Sequence, residues 1–244
     1  MGEHATIDRL GIRSKPEGAH VIEQNWENLL FLHWPIDEAV IRPLIPPALD
    51  IDTFDGKAWV GITPFRLTGL RFLSLPPIPL LDSFDEVNLR TYVVHNGVPG
   101  IWFFSLDASK ILPALAARLF FNLPYFDSAI DCTAAGGEFV FNMTRTVGPA
   151  AHFKARWRQG QRLRAPDLES LAFFLVERYC FFALAADQVQ MTRVYHHPWI
   201  LEEGLVGHCD STLLNAAGLQ EPSEPPLVYF SKAVNVQIWP PKLV

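Results

Sequence analysis

The chain has little cysteine and no long apolar run, and each shortage excludes a class of protein. Its three cysteines, Cys132, Cys180 and Cys209, are odd in number and widely spaced, so they predict neither a disulfide framework nor a CxxC site. The longest uncharged run, residues 91–106, is shorter than the ~20 residues of a membrane-spanning helix and contains a turn signal. We therefore expect a protein of a reducing compartment that does not enter the membrane.

An apolar signal segment is also missing, because residues 1–20 carry charges throughout. This pattern predicts a cytoplasmic protein. Basic charge is in short supply as well, with 20 Lys and Arg against 26 Asp and Glu, which disfavours a nucleic-acid partner. The one basic stretch, residues 154–164, predicts an exposed hairpin that turns at residues 159–161; the alternative is an edge that contacts phosphate or a partner.

Motifs for familiar chemistries are absent too: the sequence contains no GxSxG, GxGxxG, Walker or HExxH pattern. Of its eight histidines only His196 and His197 are adjacent, and neighbouring residues of a strand face opposite ways. The sequence therefore predicts no metal site and no cofactor.

Aromatic residues and proline are plentiful. The chain has 18 Phe, 7 Trp and 5 Tyr, together with 20 Pro in 244 residues. Proline at roughly 8%, against a typical ~5%, argues against a long helical bundle. The number of aromatic side chains raises the question whether they fill a core alone or also line a cavity. Three of the prolines fall in residues 72–81, which predicts an ordered loop or pocket wall.

Periodicity and turn signals predict an α+β domain built on antiparallel sheet. The dipeptide Asn96-Gly97 indicates a hairpin between two of the strands. Helices are expected at residues 37–49, 109–121 and 168–185, and strands at residues 58–65, 84–94, 101–107, 138–145, 151–158 and 228–239.

The most informative segment is the predicted strand FDEVNLRTYV, residues 84–93. Its alternation puts Glu86, Asn88, Arg90 and Tyr92 on one face of the strand. Two interpretations remain open for this polar row. On a solvated sheet face the row has no special role, whereas inside a cavity it would bind a polar ligand, with Arg90 suited to a carboxylate.

Seven stretches resemble, in order and spacing, the bacterial family called domain of unknown function 2071. They are residues 25–37, 44–65, 84–93, 97–108, 117–125, 175–180 and 196–199, among them NWENLLFLHWPID, GVPGIWFFSLDA and HHPW. That family in turn resembles acetoacetate decarboxylase. The resemblance implies a mostly antiparallel β cone or barrel that encloses an apolar pocket, with two or three helices. It also implies an N-terminal arm over residues 1–24 and a single domain over residues 25–244.

The resemblance to the decarboxylase fails at its reactive lysines. Counting from the turn at residues 97–100, Glu86 falls on the decarboxylase's active-site glutamate, and Tyr125 and Phe126 fall on its lysine pair. A Schiff base needs an amine with a lowered pKa, which neither Tyr125 nor Phe126 provides. We therefore expect that the protein is not an acetoacetate decarboxylase.

Three hypotheses for function follow. The first is a protein that binds a small carbonyl, carboxylate or aromatic ligand. The second is an enzyme that acts on a β-keto or β-hydroxy acid with Glu86 as base and Tyr125 as acid or oxyanion donor. The third is a structural or interaction protein. Candidate ligand contacts are Arg90, Asn88, Arg118, Phe126, His33, Trp102 and Phe104. The decarboxylase resemblance also implies a homo-oligomer.

Overall fold

The computed structural model describes residues 7–73, 83–110 and 120–244, and strands dominate them. The described helices are α1 (Glu38–Ile41), α2 (Leu171–Val176) and α3 (Leu213–Ala216), with 3₁₀ turns at Gly11–Arg13 and Arg42–Leu44. The described strands are β1 (Ile22–Ile36), β2 (Asp50–Ile51), β3 (Ala58–Phe72), β4 (Phe84–His95), β5 (Val98–Ala108), β6 (Tyr125–Ala135), β7 (Glu138–Arg145), β8 (His152–Arg162), β9 (Cys180–Ala185), β10 (Gln188–His196), β11 (Glu202–Ser211), β12 (Leu227–Ile238) and β13 (Lys242–Leu243).

The strands form one branched sheet that closes on itself. Its order is β13-β10-β9-β5-β6-β7-β8-β11-β12-β1-β3-β4-β2, and β5 also pairs with β4 while β10 also pairs with β12. Two rings therefore share β12, β1, β3, β4 and β5. One ring closes through β6, β7, β8 and β11, and the other closes through β9 and β10. Pairing is antiparallel except where β5 meets β6 and β9. The α+β, barrel-like architecture expected from the sequence is confirmed.

Local sequence explains the best-predicted elements. The hairpin between β4 and β5 turns at Asn96 and Gly97, whose φ angles of 49° and 79° are those a tight two-residue hairpin requires. Helix α1 begins after Asp37, whose carboxylate accepts a hydrogen bond from the Ala39 N–H at 2.9 Å. The predicted helix at residues 37–49 is shorter in the structure and continues as the 3₁₀ turn Arg42–Leu44.

The three strands β1, β3 and β4 are buried on both faces. One face packs into an apolar core that the β6–β8 side of the molecule completes with Phe141, Phe153 and Trp157. Side chains of β1, β3 and β4 in that core are Leu30, Leu32, Trp34, Val60, Ile62, Val87 and Leu89. The opposite face is turned toward β9, β10 and α2, and it carries the polar row.

The prediction of a helix over residues 168–185 is wrong for the second half of that range. Helix α2 ends at Val176, and residues 180–185 form strand β9. A short apolar run has no periodicity that separates a buried helix from a strand buried on both sides. Here Phe181 packs toward the cavity side and Phe182 toward a separate cluster around Tyr179, which is the alternation of a strand.

The basic stretch also differs from its prediction in one respect. Strand β8 runs unbroken to Arg162, so no turn exists at residues 159–161, although Lys154, Arg156 and Arg158 are exposed as expected. Arg118, most of the predicted helix at residues 109–121 and most of the proline segment at residues 72–81 lie outside the described residues. Among the described helices, none has the length and apolar character needed to cross a membrane.

Candidate functional site

A cavity of about 110 Å³ lies inside the ring that β9 and β10 close. This volume is somewhat smaller than that of an apolar cavity of about 150 Å³ that holds a benzene ring, so the size suits a small molecule. Its wall is mostly aromatic and aliphatic and includes Trp26, Phe31, Phe65, Phe103, Phe121 and Phe181. Aromatic residues of this chain therefore line a cavity as well as filling a core.

The polar row of β4 faces this cavity. Glu86, Asn88 and Arg90 all lie in the cavity wall and are at most 9% exposed. Tyr92 continues the row beyond the wall and packs against Phe174. Of the two interpretations that the sequence left open, the structure thus places the row on a cavity and not on a solvated sheet face.

Hydrogen bonds join the row to Tyr125, which β6 places opposite Glu86. The Tyr125 hydroxyl donates to Glu86 Oε2 at 2.9 Å. Asn88 also hydrogen-bonds the Glu86 carboxyl, and its Oδ1 accepts a bond from Arg90 Nε at 3.0 Å. The four side chains therefore form one continuous polar line along a mostly apolar wall.

Burial shifts the protonation of this line. The pKa of Glu86 is raised to about 7, mainly because the carboxyl is removed from water, while hydrogen bonds from Tyr125 and Asn88 and the charge of Arg90 oppose the shift. The pKa of Tyr125 is raised well above its usual value by burial and by the neighbouring Glu86. Near neutral pH, Glu86 can therefore hold or release a proton while Tyr125 stays a hydrogen-bond donor.

Arg90 brings a charge into the cavity that the described residues do not neutralise directly. None of the Asp and Glu residues in the described ranges forms an ion pair with it. Its guanidinium carbon lies 5.9 Å from the ring centre of Phe31. Burial lowers the pKa of Arg90, and its high reference value keeps the group charged.

Two of the aromatic ligand contacts proposed from the sequence lie on the other face of β5. A β-bulge at Phe104 adds one residue to β5 between the pairs Leu89–Ser105 and Arg90–Phe103. Without it, Phe104 would stand opposite Arg90. The extra residue instead turns Trp102 and Phe104 to the outside of the cavity wall, where both pack against neighbouring core clusters, and brings Phe103 inside.

Phe126 also lies outside the cavity wall, because adjacent residues of β6 face opposite sides. Its ring packs 3.8 Å from the guanidinium carbon of Arg145, which forms a bidentate pair with the buried Asp107. His33 is fully buried beside Phe31 and Tyr92 and does not belong to the cavity wall.

Sequence reasoning missed other polar residues of the wall: Thr63, Arg178 and His196. Arg178 Nη1 pairs with Asp52 at 2.6 Å, and Asp52 also accepts two bonds from Arg9. Thr63 stands two residues before Phe65 on a predicted strand, so the two side chains share a face. This pattern points to the cavity only once the cavity face of β3 is known.

Lysine is absent from the cavity wall among the described residues, which include all six lysines of the chain. Within the same ranges, no three His, Cys, Asp or Glu side chains come together in an arrangement that holds a metal ion. The wall does contain Cys180, whose thiol pKa is raised to about 12 by burial, so it is a protonated apolar contact.

Comparison with known proteins places this site in a family. The family described as "DUF2071: Uncharacterized conserved protein" matches residues 23–235. The uncharacterized protein YqjF of Bacillus subtilis (strain 168) is 37% identical over 227 residues, which are 93% of this chain and 94% of YqjF.

Solved structures share the fold at low identity. The enduracididine biosynthesis enzyme MppR, complexed with pyruvate, superposes with a TM-score of 0.66 at 12% identity over 93% of this chain and 91% of MppR. An acetoacetate decarboxylase-like enzyme from Sphingomonas wittichii RW1 gives a TM-score of 0.60 at 14% identity over 93% of this chain and 94% of its own. With a family match over most of its length and this curated relative, the chain belongs to the DUF2071 family.

Proposed function

We propose that the protein binds a small carboxylic acid in this cavity, with Arg90 holding the carboxylate. The observation that carries the proposal is the convergence of Glu86, Asn88, Arg90 and Tyr125 on one small, mostly apolar cavity. A buried charge without a directly paired counter-ion is costly for folding alone. A bound anion would offset that cost.

The charge balance of the wall supports an anion and not a cation. Arg90 is charged, whereas Glu86 is protonated below a pH of about 7. Arg178 and Arg9 share the single carboxylate of Asp52, which leaves that cluster with an excess positive charge as well. An arginine fork with free N–H groups matches the two oxygens of a carboxylate.

The test is a binding measurement with acids and their neutral amides. Pyruvate, the molecule bound in the MppR structure, is titrated together with acetoacetate and benzoate, and each is compared with its primary amide by ligand-observed NMR. We expect at least one acid to bind. Its amide should bind at least about tenfold more weakly, and Arg90→Gln should lose the preference for the acid. Arg66→Gln, at a partly exposed arginine outside the wall, is the matched control and should bind as the wild type does.

Two results would contradict ligand binding of this kind. One is the absence of binding for all three acids in the folded wild-type protein. The other is an affinity for an acid that Arg90→Gln leaves unchanged, since the carboxylate would then be held elsewhere or not at all.

A second candidate function is proton transfer to or from the bound acid. It is favoured by the 2.9 Å hydrogen bond between Tyr125 and Glu86 and by the pKa of about 7 for Glu86, which suits a general acid or base at neutral pH. In this hypothesis Glu86 removes a proton from a carbon next to a carbonyl group, and the Tyr125 hydroxyl donates to the oxygen that becomes negative.

Exchange of hydrogen for deuterium reports this step without knowledge of the product. Wild-type protein in D₂O should accelerate exchange at the methyl group of pyruvate or at carbon 2 of acetoacetate, and Glu86→Gln should abolish the acceleration. Equal exchange in both proteins would exclude Glu86 as the base. Borohydride treatment with acetoacetate should trap no covalent adduct, and a stoichiometric adduct would contradict the expectation that no lysine forms a Schiff base here.

A further inference from the structure

Beside Arg90, two buried side chains carry polar atoms that have no hydrogen-bond partner in the part of the chain that the structure describes. Thr63 lies in the cavity wall, is fully buried, and its Oγ1 bonds to nothing. Both ring nitrogens of the fully buried His33 are also without a partner. Each such atom costs the fold about 1–3 kcal/mol. Buried polar atoms are usually satisfied, so the Thr63 hydroxyl, which lies in the cavity wall, calls for a missing partner.

The strand register places these side chains around Arg90. His33 of β1 pairs with Gly61 of β3, and Gly61 pairs with Arg90 of β4, so the three form one row across the sheet. In the next row Thr63 pairs with Asn88. Directly paired residues of an antiparallel sheet face the same side with Cβ atoms ~4.5–5.5 Å apart.

Gly61 lets His33 approach Arg90. A Cβ atom at Gly61 would lie 2.9 Å from His33 Cδ2 and 3.2 Å from His33 Nε2, so the imidazole occupies the space above this glycine. The charge of Arg90 acts on the ring, and together with burial it lowers the pKa of His33 well below its usual value. His33 is therefore a neutral imidazole with one N–H to donate.

We propose that Thr63 and Arg90 form a single carboxylate subsite, in which the Thr63 hydroxyl donates to an oxygen that Arg90 attracts, while the neutral His33 ring lies behind the wall and leaves the charge of Arg90 to the ligand. The inference rests on the proposed function and specifies it further. The carboxylate lies on the β3 side of Arg90, and the rest of the ligand extends past Asn88 toward Glu86 and Tyr125. The ligand is thus a short acid. Its carboxylate is enclosed by the subsite, and its opposite end lies next to Glu86 and Tyr125.

The experiment compares Thr63→Val with Thr192→Val. Thr192, on β10, is equally buried, its Oγ1 is also without a partner, and it lies outside the cavity wall. For pyruvate, acetoacetate or benzoate, whichever binds the wild type, Thr63→Val should weaken binding about tenfold, as expected for loss of a hydrogen bond to a charged group. Thr192→Val should leave the affinity within twofold, and Thr63→Ser should restore it.

Stability separates the subsite from a structural role. Because both valine variants replace an unpaired buried hydroxyl with a methyl group, both should be at least as resistant to urea as the wild type.

The outcomes distinguish the subsite from the broader proposal. If Arg90→Gln loses the acid but Thr63→Val binds it as tightly as the wild type, acid binding stands and the subsite of Thr63 and Arg90 is wrong. If Thr192→Val weakens the acid as much as Thr63→Val does, the effect is not local and the subsite is also wrong. If the folded wild type binds none of the acids, the proposed function itself fails.

Discussion

The two faces of β1, β3 and β4 use the same backbone for opposite purposes. On one face Val87 and Leu89 pack into a core with the β6–β8 side of the molecule. On the other, one residue away along β4, Glu86, Asn88 and Arg90 meet a cavity. The packed face holds the strands together, so the sheet can carry charge on its cavity face although burying that charge lowers stability.

The largest expected effect contrasts a leucine on each face. Leu89→Ala removes a fully buried side chain from the packed core and should lower the free energy of unfolding by about 4 kcal/mol. Leu67→Ala should cost about 2 kcal/mol, because Leu67 already borders the cavity and leaves less new void. Urea unfolding of both variants measures the difference. An equal or larger loss for Leu67→Ala would mean that the cavity face is packed as tightly as the core.

The next effect is a gain in stability from removing a charge on the cavity face. The pKa of Glu86 is about 7 in the folded protein and 4.5 as the reference value. The folded state therefore binds more protons than the unfolded state between these values, and the free energy of unfolding falls as pH rises through that window. Glu86→Gln escapes this loss and should be more stable than the wild type by about 3 kcal/mol at pH 8.

Urea unfolding at pH 5 and pH 8 checks the sign. The gain of Glu86→Gln should fall to about 1 kcal/mol or less at pH 5, where the wild-type carboxyl is protonated in the folded state. Other groups that face Glu86, namely Tyr125, Arg90 and Asp107, are common to both proteins, so their contributions cancel in the comparison. Glu17→Gln at an exposed position is the control and should show no pH-dependent gain. A stability difference that does not change between the two pH values would contradict the raised pKa.

The smallest effect comes from the partner of Glu86. Tyr125→Phe deletes the hydroxyl that donates to the carboxyl, so the pKa of Glu86 in this variant should be higher than in the wild type. We expect a loss of about 1 kcal/mol in the free energy of unfolding at pH 8. Tyr229→Phe, at a tyrosine outside the cavity wall, should change it by less than about 0.5 kcal/mol. Equal effects from the two variants would show that the Tyr125 hydroxyl does not act on Glu86.

The sequence was sufficient for features that depend on local geometry. The hairpin at Asn96-Gly97 and the shared face of Glu86, Asn88 and Arg90 follow from turn conformation and strand alternation, and both are present. The resemblance to the decarboxylase supplied the position of Tyr125, which no local pattern would have linked to Glu86.

What the sequence could not supply depends on pairing between distant segments. The bulge at Phe104 places Phe103 in the cavity wall and turns Trp102 and Phe104 out of it. A bulge depends on how β4 and β5 pair, not on the residues of β5 alone. Strand β9 is as apolar as a buried helix, so its state is decided by its neighbours. Thr63 is one ordinary threonine in a strand, and its meaning appears only when its hydroxyl is found buried and unpartnered.

The most direct test of acid binding on the cavity face is a crystal structure of the protein soaked with whichever of pyruvate, acetoacetate and benzoate binds. We expect the carboxylate of that probe to lie inside the cavity, with an oxygen about 3 Å from an Arg90 nitrogen. A probe seated elsewhere on the molecule, or one whose carboxylate points away from Arg90, would contradict it.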